Sequence, residues 1–233
     1  MTGPDPRDWF PSGVAWALLK PEDPAGEPLP AERALLTAQA LPERVAEFAR
    51  GRQAARAALT ALGVPDAAAF PVLREGVRGP RWPERVVGSI SHSGAWAAAA
   101  AAWRRDYFGI GLDLERIRIA RPQLVSRICL PEERDWLNGL PESQRSFGFA
   151  LIFSAKESIY KALHPGTGVF LGYADALVKP QSRAFSTEGT PGDGAFTWSL
   201  LRSSGGDFPA GFEGKGRWQN PGEIVATAVW VRA

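Results

Sequence analysis

The segment FGIGLDLERI, residues 108–117, combines the pattern of a buried strand with two carboxylates. Side chains of a strand alternate between its faces, so one face carries the aliphatic residues and the other carries a glycine, Asp113 and Glu115. Neighbouring carboxylates repel each other unless solvent or a cation separates them. The segment alone favours a solvated face. The alternative is a hard cation, because Mg²⁺ binds one or two carboxylates together with phosphate oxygens and water.

The composition is typical of a globular protein, with 45% hydrophobic and 22% charged residues among 233. This length suffices for one large domain or two small ones. The net charge of +2 is too small to indicate nucleic-acid binding. The single cysteine, Cys129, excludes an intrachain disulfide and a thiolate metal site. Because no secretory signal is evident and the apolar run AWAAAAAAW is too short to span a bilayer, we expect a cytoplasmic protein without membrane contact.

Hydrophobic periodicity predicts a mixed α+β fold. Helices are predicted near Pro30 and over residues 42–62, 122–138 and 141–163. Gly51 lies inside the second of these, at a cost of about 1 kcal/mol relative to alanine, which predicts a packing reason or a break. The predicted strands include VVGSIS, AWAAAAAAW, YFGIGLDLE, AFTWSLL and EIVATAVWV, with a glycine-rich loop between the last two. For AWAAAAAAW, alanine content favours helix and the neighbouring strand favours a hairpin, which we prefer.

The segment FSAKESIYKALH, residues 153–164, places Glu157 and Lys161 one helical turn apart among apolar residues. Most pairs at this spacing are surface pairs worth about 0.2–0.5 kcal/mol. Here the apolar surroundings indicate a mostly buried segment whose charges need partners. Glu157 is therefore a candidate third metal carboxylate, and Lys161 and Lys156 are candidate point charges for a phosphate.

Two further segments supply candidate anion ligands. In VVGSISHSG, residues 86–94, His92 lies among serines and glycines that allow close approach of a backbone or an anion, although a lone histidine is more often structural. A helical segment places Arg52 and Arg56 four residues apart, with Arg44 two turns earlier. Because like charges at this spacing destabilise a helix, the arginines indicate either a solvated face or a phosphate site.

Four segments in this order resemble the 4′-phosphopantetheinyl transferase superfamily, and most closely its enterobactin-synthase-component-D-like branch. They are GRQAARAAL, then RGPRWP with VVGSISHS, then GIGLDLE, then FSAKESIYKA. The similarity spans residues 44–162, about half of the chain. It implies magnesium-dependent transfer of the phosphopantetheine arm from coenzyme A to a serine of an apo acyl or peptidyl carrier protein, with release of 3′,5′-ADP. The nucleophile then belongs to the carrier, which agrees with the absence of a nucleophile–histidine–acid pattern in this chain.

The resemblance also implies roles for individual residues. The magnesium carboxylates correspond to Asp113, Glu115 and Glu157. The catalytic residues correspond to Glu157, Asp113 and Lys161, with Glu157 as the general base, directly or through water. The coenzyme A ligands correspond to Arg44, Arg52, Arg56, Ser91, His92, Asp113, Lys156 and Lys161, together with Arg78 or, alternatively, Arg74. Leu114 adds no metal ligand, so water must complete an octahedron, and Phe153 stands where many relatives have tryptophan.

The implied fold is a pseudo-dimer of two similar α/β subdomains with the active site in the cleft between them. The split is expected near residues 107–109. Residues 1–108 then carry the arginine helix and the His92 loop, and residues 109–233 carry the carboxylates and Lys161. A pseudo-dimer favours a monomer. Two other functions stay open: a magnesium-dependent nucleotide or coenzyme A pyrophosphohydrolase, and a non-catalytic module that binds coenzyme A or a carrier protein.

Overall fold

A computed structural model describes residues 9–75, 79–181 and 192–233. The first part of the chain contains β1 (Val14–Leu19), α1 (Pro30–Arg33), α2 (Pro42–Ala61), β2 (Arg74–Glu75), β3 (Gly79–Pro80), β4 (Val86–Ser93) and β5 (Trp96–Trp103). The second part contains β6 (Tyr107–Arg116), α3 (Pro122–Ile128), α4 (Pro131–Asn138), α5 (Glu142–Thr167), β7 (Ala176–Gln181), β8 (Gly192–Leu200), β9 (Glu213–Asn220) and β10 (Ile224–Arg232).

The described strands form an antiparallel sheet in the order β1-β5-β4, a second in the order β6-β10-β9-β8-β7, and the short pair β2-β3. Helix α2 packs on one face of the first sheet, and α5 packs on one face of the five-stranded sheet. The opposite faces share a core, in which alternate alanines of β5 meet Ile110, Leu112 and Leu114. The expected α+β class is therefore confirmed, with a long helix and an antiparallel sheet in each half.

Strand β5 resolves the ambiguity of the alanine run. It is the central strand of its sheet, and Ala97–Ala102 are fully buried. Ala99 and Ala101 pack with α2, and the even-numbered alanines of the strand pack in the shared core, so both faces need small side chains. A strand covered on both faces has an uninterrupted apolar sequence instead of an alternating one. Helix α2 continues through Gly51 without a break. The glycine has a packing reason, because a Cβ there would lie 3.2 Å from Cγ2 of Ile90.

Other expectations need correction. The helix expected over residues 122–138 is interrupted, because Cys129 is extended and Pro131 begins α4. A residue that precedes proline is disfavoured in the helical conformation, which explains why the interruption includes Leu130. No helix of the described residues combines the length and apolarity needed to cross a membrane.

The glycine-rich segment of the tail is a loop only over residues 201–212, since its second half forms the strand β9, and β1 and β7 were not anticipated. Gly214 and Gly216 of β9 pair with Trp198 and Phe196 of β8. A Cβ on either glycine would lie within 2.3 Å of the facing ring. Glycine is required here because the aromatic rings cover the backbone of the neighbouring strand.

Close packing of β6 against α5 positions the carboxylate segment, residues 108–117. A Cβ on Gly109 would lie 1.9 Å from the carbonyl oxygen of Ala162, and one on Gly111 would lie 1.8 Å from that of Ser158. The face expected to be solvated therefore lies against the helix backbone. Two residues further along this face, Asp113 meets the same helix. The glycines thus allow a carboxylate strand and the Glu157–Lys161 helix to come together.

Serine hydroxyls join the edges of the two sheets. Ser89 Oγ accepts a hydrogen bond from Leu112 N at 3.0 Å and lies 3.3 Å from Leu112 O. Ser91 Oγ accepts from Leu114 N at 3.2 Å. The serines of VVGSISHS therefore connect β4 to β6 where ladder hydrogen bonds do not pair the two strands.

Candidate active site

Asp113, Lys161 and Ser91 form the centre of the candidate site. Lys161 Nζ donates to Asp113 Oδ1 at 2.7 Å, to Leu112 O at 3.2 Å and to Ser91 Oγ at 3.2 Å. Ser91 Oγ donates to Asp113 Oδ1 at 2.9 Å. Asp113 is 3% exposed, and its Oδ2 is buried without a hydrogen-bond partner. Because an unpaired buried oxygen costs free energy, this atom fits a cation or a donor that is supplied from outside the chain.

Glu115 and Glu157 extend the acidic part of the site. Burial, followed by repulsion from Asp113, raises the pKa of Glu115 to about 7. The same two causes raise the pKa of Glu157, while the Tyr173 hydroxyl opposes the shift by donating to Glu157 Oε1 at 3.0 Å. The charge of Asp113 therefore lies close enough to both glutamates to disfavour their ionised forms.

The donor chemistry of these residues fits a hard cation, because all three offer carboxylate oxygens and Asp113 Oδ2 is unpaired. Within residues 9–75, 79–181 and 192–233, however, no three or more His, Cys, Asp or Glu side chains are grouped so as to hold a metal ion. A shared ion therefore requires side-chain adjustment and further oxygens from ligand or water.

A cationic cluster lies beside this centre, on α2 and at the end of β4. Arg44 Nη1 lies 3.2 Å from His92 Nε2. Because an arginine only donates, this contact assigns His92 as a neutral imidazole with its hydrogen on Nδ1. Burial lowers the pKa of His92, and the positive charges of Arg44, Lys161 and Arg52 lower it further, whereas Glu47 raises it.

Arg52 lies in the same cluster and is partly buried. Its guanidinium carbon is 4.4 Å from the centroid of the Phe48 ring, and its Nε is buried without a hydrogen-bond partner. Burial lowers the pKa of Arg52 to about 10; the charge of Glu32 raises it, and those of Arg74 and Arg44 lower it. An anion would reduce the repulsion between these neighbouring cations and would accept hydrogen bonds from their unused donors. The cluster therefore suits phosphate groups.

Two residues predicted to bind coenzyme A are placed differently. Arg56 Nη1 donates to both carboxylate oxygens of Glu32, at 2.7 and 2.8 Å, and Glu32 is fully buried. Lys156 Nζ contacts Glu133 Oε2 at 2.8 Å and two backbone carbonyls, and the residue is 4% exposed. Both cations therefore compensate buried carboxylates, and this placement does not support direct ligand contacts. Arg74 is exposed, and Arg78 lies outside the described residues.

Glu47 and Tyr173 belong to the site but were not among the residues predicted from the sequence. Glu47 lies three residues after Arg44 on α2, with its Oε2 3.4 Å from Arg44 Nη1 and 3.8 Å from His92 Nδ1. That spacing was a signal, because residues three apart on a helix are neighbours. No comparable signal existed for Tyr173, which contacts Glu157 only because the chain folds back after α5. Burial and the charge of Glu157 raise the pKa of Tyr173 to about 12, so its hydroxyl is a neutral donor.

A cleft of about 540 Å³ opens beside Glu115. Its lining includes Glu115, Arg116, Arg118, Arg121, Phe149 and Phe153. Aromatic side chains and arginines thus line one space next to the acidic part of the site. A ligand with an apolar section and an anionic section fits this combination.

Comparison with known proteins identifies the family. Sequence profiles match residues 31–102 as a 4′-phosphopantetheinyl transferase N-terminal domain and residues 109–213 as the 4′-phosphopantetheinyl transferase superfamily. The chain is 38% identical to 4′-phosphopantetheinyl transferase Svp of Streptomyces mobaraensis, over 94% of this chain and 87% of that protein. It is 34% identical to 4′-phosphopantetheinyl transferase Npt of Nocardia iowensis, over 94% of this chain and 96% of that protein.

Enterobactin synthase component D of Escherichia coli O157:H7 is 38% identical over 56% of this chain and 61% of its own length. The resemblance that the four sequence segments indicated is thereby confirmed. The chain is an enzyme of the 4′-phosphopantetheinyl transferase superfamily.

Proposed function

We propose that this enzyme transfers the 4′-phosphopantetheine arm of coenzyme A to a serine of an apo acyl or peptidyl carrier protein, with Mg²⁺ as cofactor and 3′,5′-ADP as the second product. The observation that carries the proposal is the buried Asp113 carboxylate, which is bonded to Lys161 through one oxygen and unpaired at the other. This carboxylate lies between further acidic side chains and a cationic cluster, an arrangement that suits a pyrophosphate bound with a cation.

The cationic cluster supports recognition of the coenzyme A phosphates. Arg44 is half exposed and Arg52 has an unused buried donor, so both have hydrogen-bonding capacity for phosphate oxygens. The neutral His92 has its Nδ1–H available as a further donor. Because coenzyme A carries a pyrophosphate and a 3′-phosphate, several separate cations are needed to bind it.

Asp113, Glu115 and Glu157 are the residues that would hold Mg²⁺. When bound, the ion would neutralise charge on the pyrophosphate and on the leaving 3′,5′-ADP. The raised pKa values of Glu115 and Glu157 support this role, because a cation relieves the repulsion that contributes to raising them.

The transfer step uses a nucleophile from the partner. The carrier serine gives its proton to Glu157, directly or through water, and its oxygen bonds to the phosphorus that bears pantetheine. The bond from this phosphorus to the oxygen of 3′,5′-ADP breaks, and the electron pair leaves with that oxygen. Glu157 suits the task because its raised pKa makes it a stronger base than an ordinary glutamate.

We further propose that residues 1–108 and 109–233 are the two subdomains and that the monomer is active in the cytoplasm. In this division the first subdomain supplies Arg44, Arg52 and His92, and the second supplies the carboxylates and Lys161. Ser91 connects them, since its hydroxyl contacts both Asp113 and Lys161.

The test is to incubate the protein with Mg²⁺, coenzyme A and each of several apo carrier proteins, and to measure the intact mass of the carrier. The proposal expects a gain of one phosphopantetheine, which is lost with a chelator and with a carrier whose acceptor serine is alanine. Coenzyme A cleaved without any carrier gain would instead show a pyrophosphohydrolase. Binding of coenzyme A or of the carrier with neither reaction would show a non-catalytic module.

A further inference from the structure

Lys156 stands one residue before Glu157 on α5, but its side chain serves another part of the fold. Its Nζ contacts Glu133 of α4 at 2.8 Å, Ile128 O at the end of α3 at 2.9 Å and Tyr173 O at 2.6 Å. An ammonium group has three hydrogens, so these contacts use every donor of Lys156. Glu133 is 2% exposed and also accepts from Leu130 N and Val178 N. Lys156 therefore connects α5 to α4, to the end of α3 and to the turn that carries Tyr173.

The turn that carries Tyr173 is held at several points besides this one. Residues Tyr173–Asp175 form a single 3₁₀ turn. Gly172 N donates to Asp175 Oδ2 at 2.7 Å, and Leu201 N donates to Asp175 O at 2.8 Å. The Tyr173 ring also packs on Phe153, which precedes Glu157 by one turn of α5, with ring centroids 5.8 Å apart. The position of the tyrosine hydroxyl relative to α5 is thus determined by both its backbone and its ring.

The hydroxyl of Tyr173 meets Glu157 at only one oxygen. It donates to Oε1 at 3.0 Å, and no other hydrogen bond to the Glu157 carboxylate occurs among the described residues. A glutamate side chain has several rotatable bonds, so a single donor on Oε1 restricts the direction in which Oε2 points. The hydrogen bond thereby leaves Oε2 for the proton of the acceptor serine or for a cation.

We propose that Tyr173 is a positioning residue for Glu157, and that Lys156 serves this arrangement by holding the Tyr173 turn instead of binding coenzyme A. This inference rests on the proposed function, in which Glu157 is the base. It assigns a role to a hydroxyl outside the four sequence segments and reassigns the first lysine of FSAKESIYKA from the ligand to the scaffold.

The test compares Tyr173→Phe with wild type in steady-state transfer and in coenzyme A binding by calorimetry without carrier. We expect kcat to fall about 10-fold, because the ring and the fold are kept and only the orientation of Glu157 is lost. The KM and Kd for coenzyme A should stay within about twofold. Tyr107→Phe is the matched control, since it also removes one tyrosine hydrogen bond, to Ser12 O at 2.8 Å, but in the core between the sheets. It should lower Tm and leave kcat within about twofold.

The role of Lys156 is tested with the double variant Glu133→Gln, Lys156→Gln, which removes both buried charges together so that neither is left uncompensated. In the folded variant we expect coenzyme A Kd within about twofold of wild type and a lower kcat. Weaker coenzyme A binding by about 10-fold or more would overturn the assignment of Lys156. A double variant that does not fold supports the scaffold role of Lys156. In that case Tyr173→Phe alone tests the positioning role of Tyr173.

An unchanged kcat in Tyr173→Phe, or an equal loss in Tyr107→Phe, would overturn the positioning role. These outcomes differ from failure of the proposed function, in which wild type itself transfers nothing to any carrier.

Discussion

Replacing Gly111 by alanine tests whether close packing of β6 on α5 builds the site. The new Cβ would lie 1.8 Å from the carbonyl oxygen of Ser158 and 3.0 Å from the amide nitrogen of Ala162. Ordinary contact begins at 3.4 Å, so the strand and the helix must separate by about 1.6 Å at this point. Both obstructing atoms belong to backbone, so no side-chain rotation relieves the overlap.

Overpacking by one methyl group costs about 1–3 kcal/mol when side chains adjust. We expect the upper end, about 3 kcal/mol, because here a strand must move against a helix. In a chain of this size each kcal/mol lowers Tm by about 2–4 °C, so Tm should fall by about 6–12 °C. The movement also displaces Asp113 from Lys161, to which it is bonded at 2.7 Å, and transfer should fall further than stability explains.

The assays are urea unfolding and transfer at a temperature at which both proteins are folded. Gly139→Ala is the matched control, since Gly139 has an ordinary φ of −74° and a Cβ there would meet nothing closer than 3.4 Å. That variant should be neutral or slightly more stable. If Gly111→Ala has a free energy of unfolding within about 1 kcal/mol of wild type and retains full transfer, close packing of β6 on α5 does not build the site.

Three further predictions concern the site and its surroundings. Asp113→Ala should lower transfer at least about 100-fold and keep the fold, because its ionic partner Lys161 has a 27% exposed side chain that water can solvate when the carboxylate is removed. In metal-free protein, the contribution of Glu115 to stability should be complete below pH 4.5 and lost as the pH rises through about 7, since its folded pKa is raised; Mg²⁺ should therefore raise Tm more at pH 8 than at pH 5. Arg56→Ala should lower stability by about 3 kcal/mol or more by leaving Glu32 buried and uncompensated, whereas Arg44→Ala should mainly weaken coenzyme A binding, about 10-fold.

Each of these has a contrary outcome. Asp113→Ala with wild-type transfer would remove this residue from the reaction, and circular dichroism is the control for folding. The pH effect should diminish in Glu115→Gln, and an unchanged slope of Tm with pH would assign it to other groups. A stable Arg56→Ala with weaker coenzyme A binding in calorimetry would return Arg56 to the ligand site.

The fold was predictable where the formation of a helix or strand depends only on a short stretch of sequence. Residues 42–61 form one helix because their periodicity and alanine content agree. The strand β9 was not predicted from the sequence, because its glycines indicate a loop when they are considered alone. These glycines are required because the rings of Trp198 and Phe196 on the neighbouring strand cover them. Which residues face each other depends on strand register, and register is a tertiary property.

The candidate site divides in the same way. Local sequence is sufficient to show which residues share a face: Asp113 with Glu115 on a strand, and Glu157 with Lys161 on a helix. These relations follow from the periods of 2.0 and 3.6 residues, which hold within any regular element. The order of the four segments further indicated the family.

The partner of each charge depends on the tertiary structure. Arg56 and Lys156 have the same charge as Arg52 and Lys161, yet the first two compensate Glu32 and Glu133 while the others lie at the site. The Tyr173 contact with Glu157 likewise depends on how the chain returns to α5. A buried charge takes its partner from whichever element packs against it, and that choice is made by the packing of the whole core.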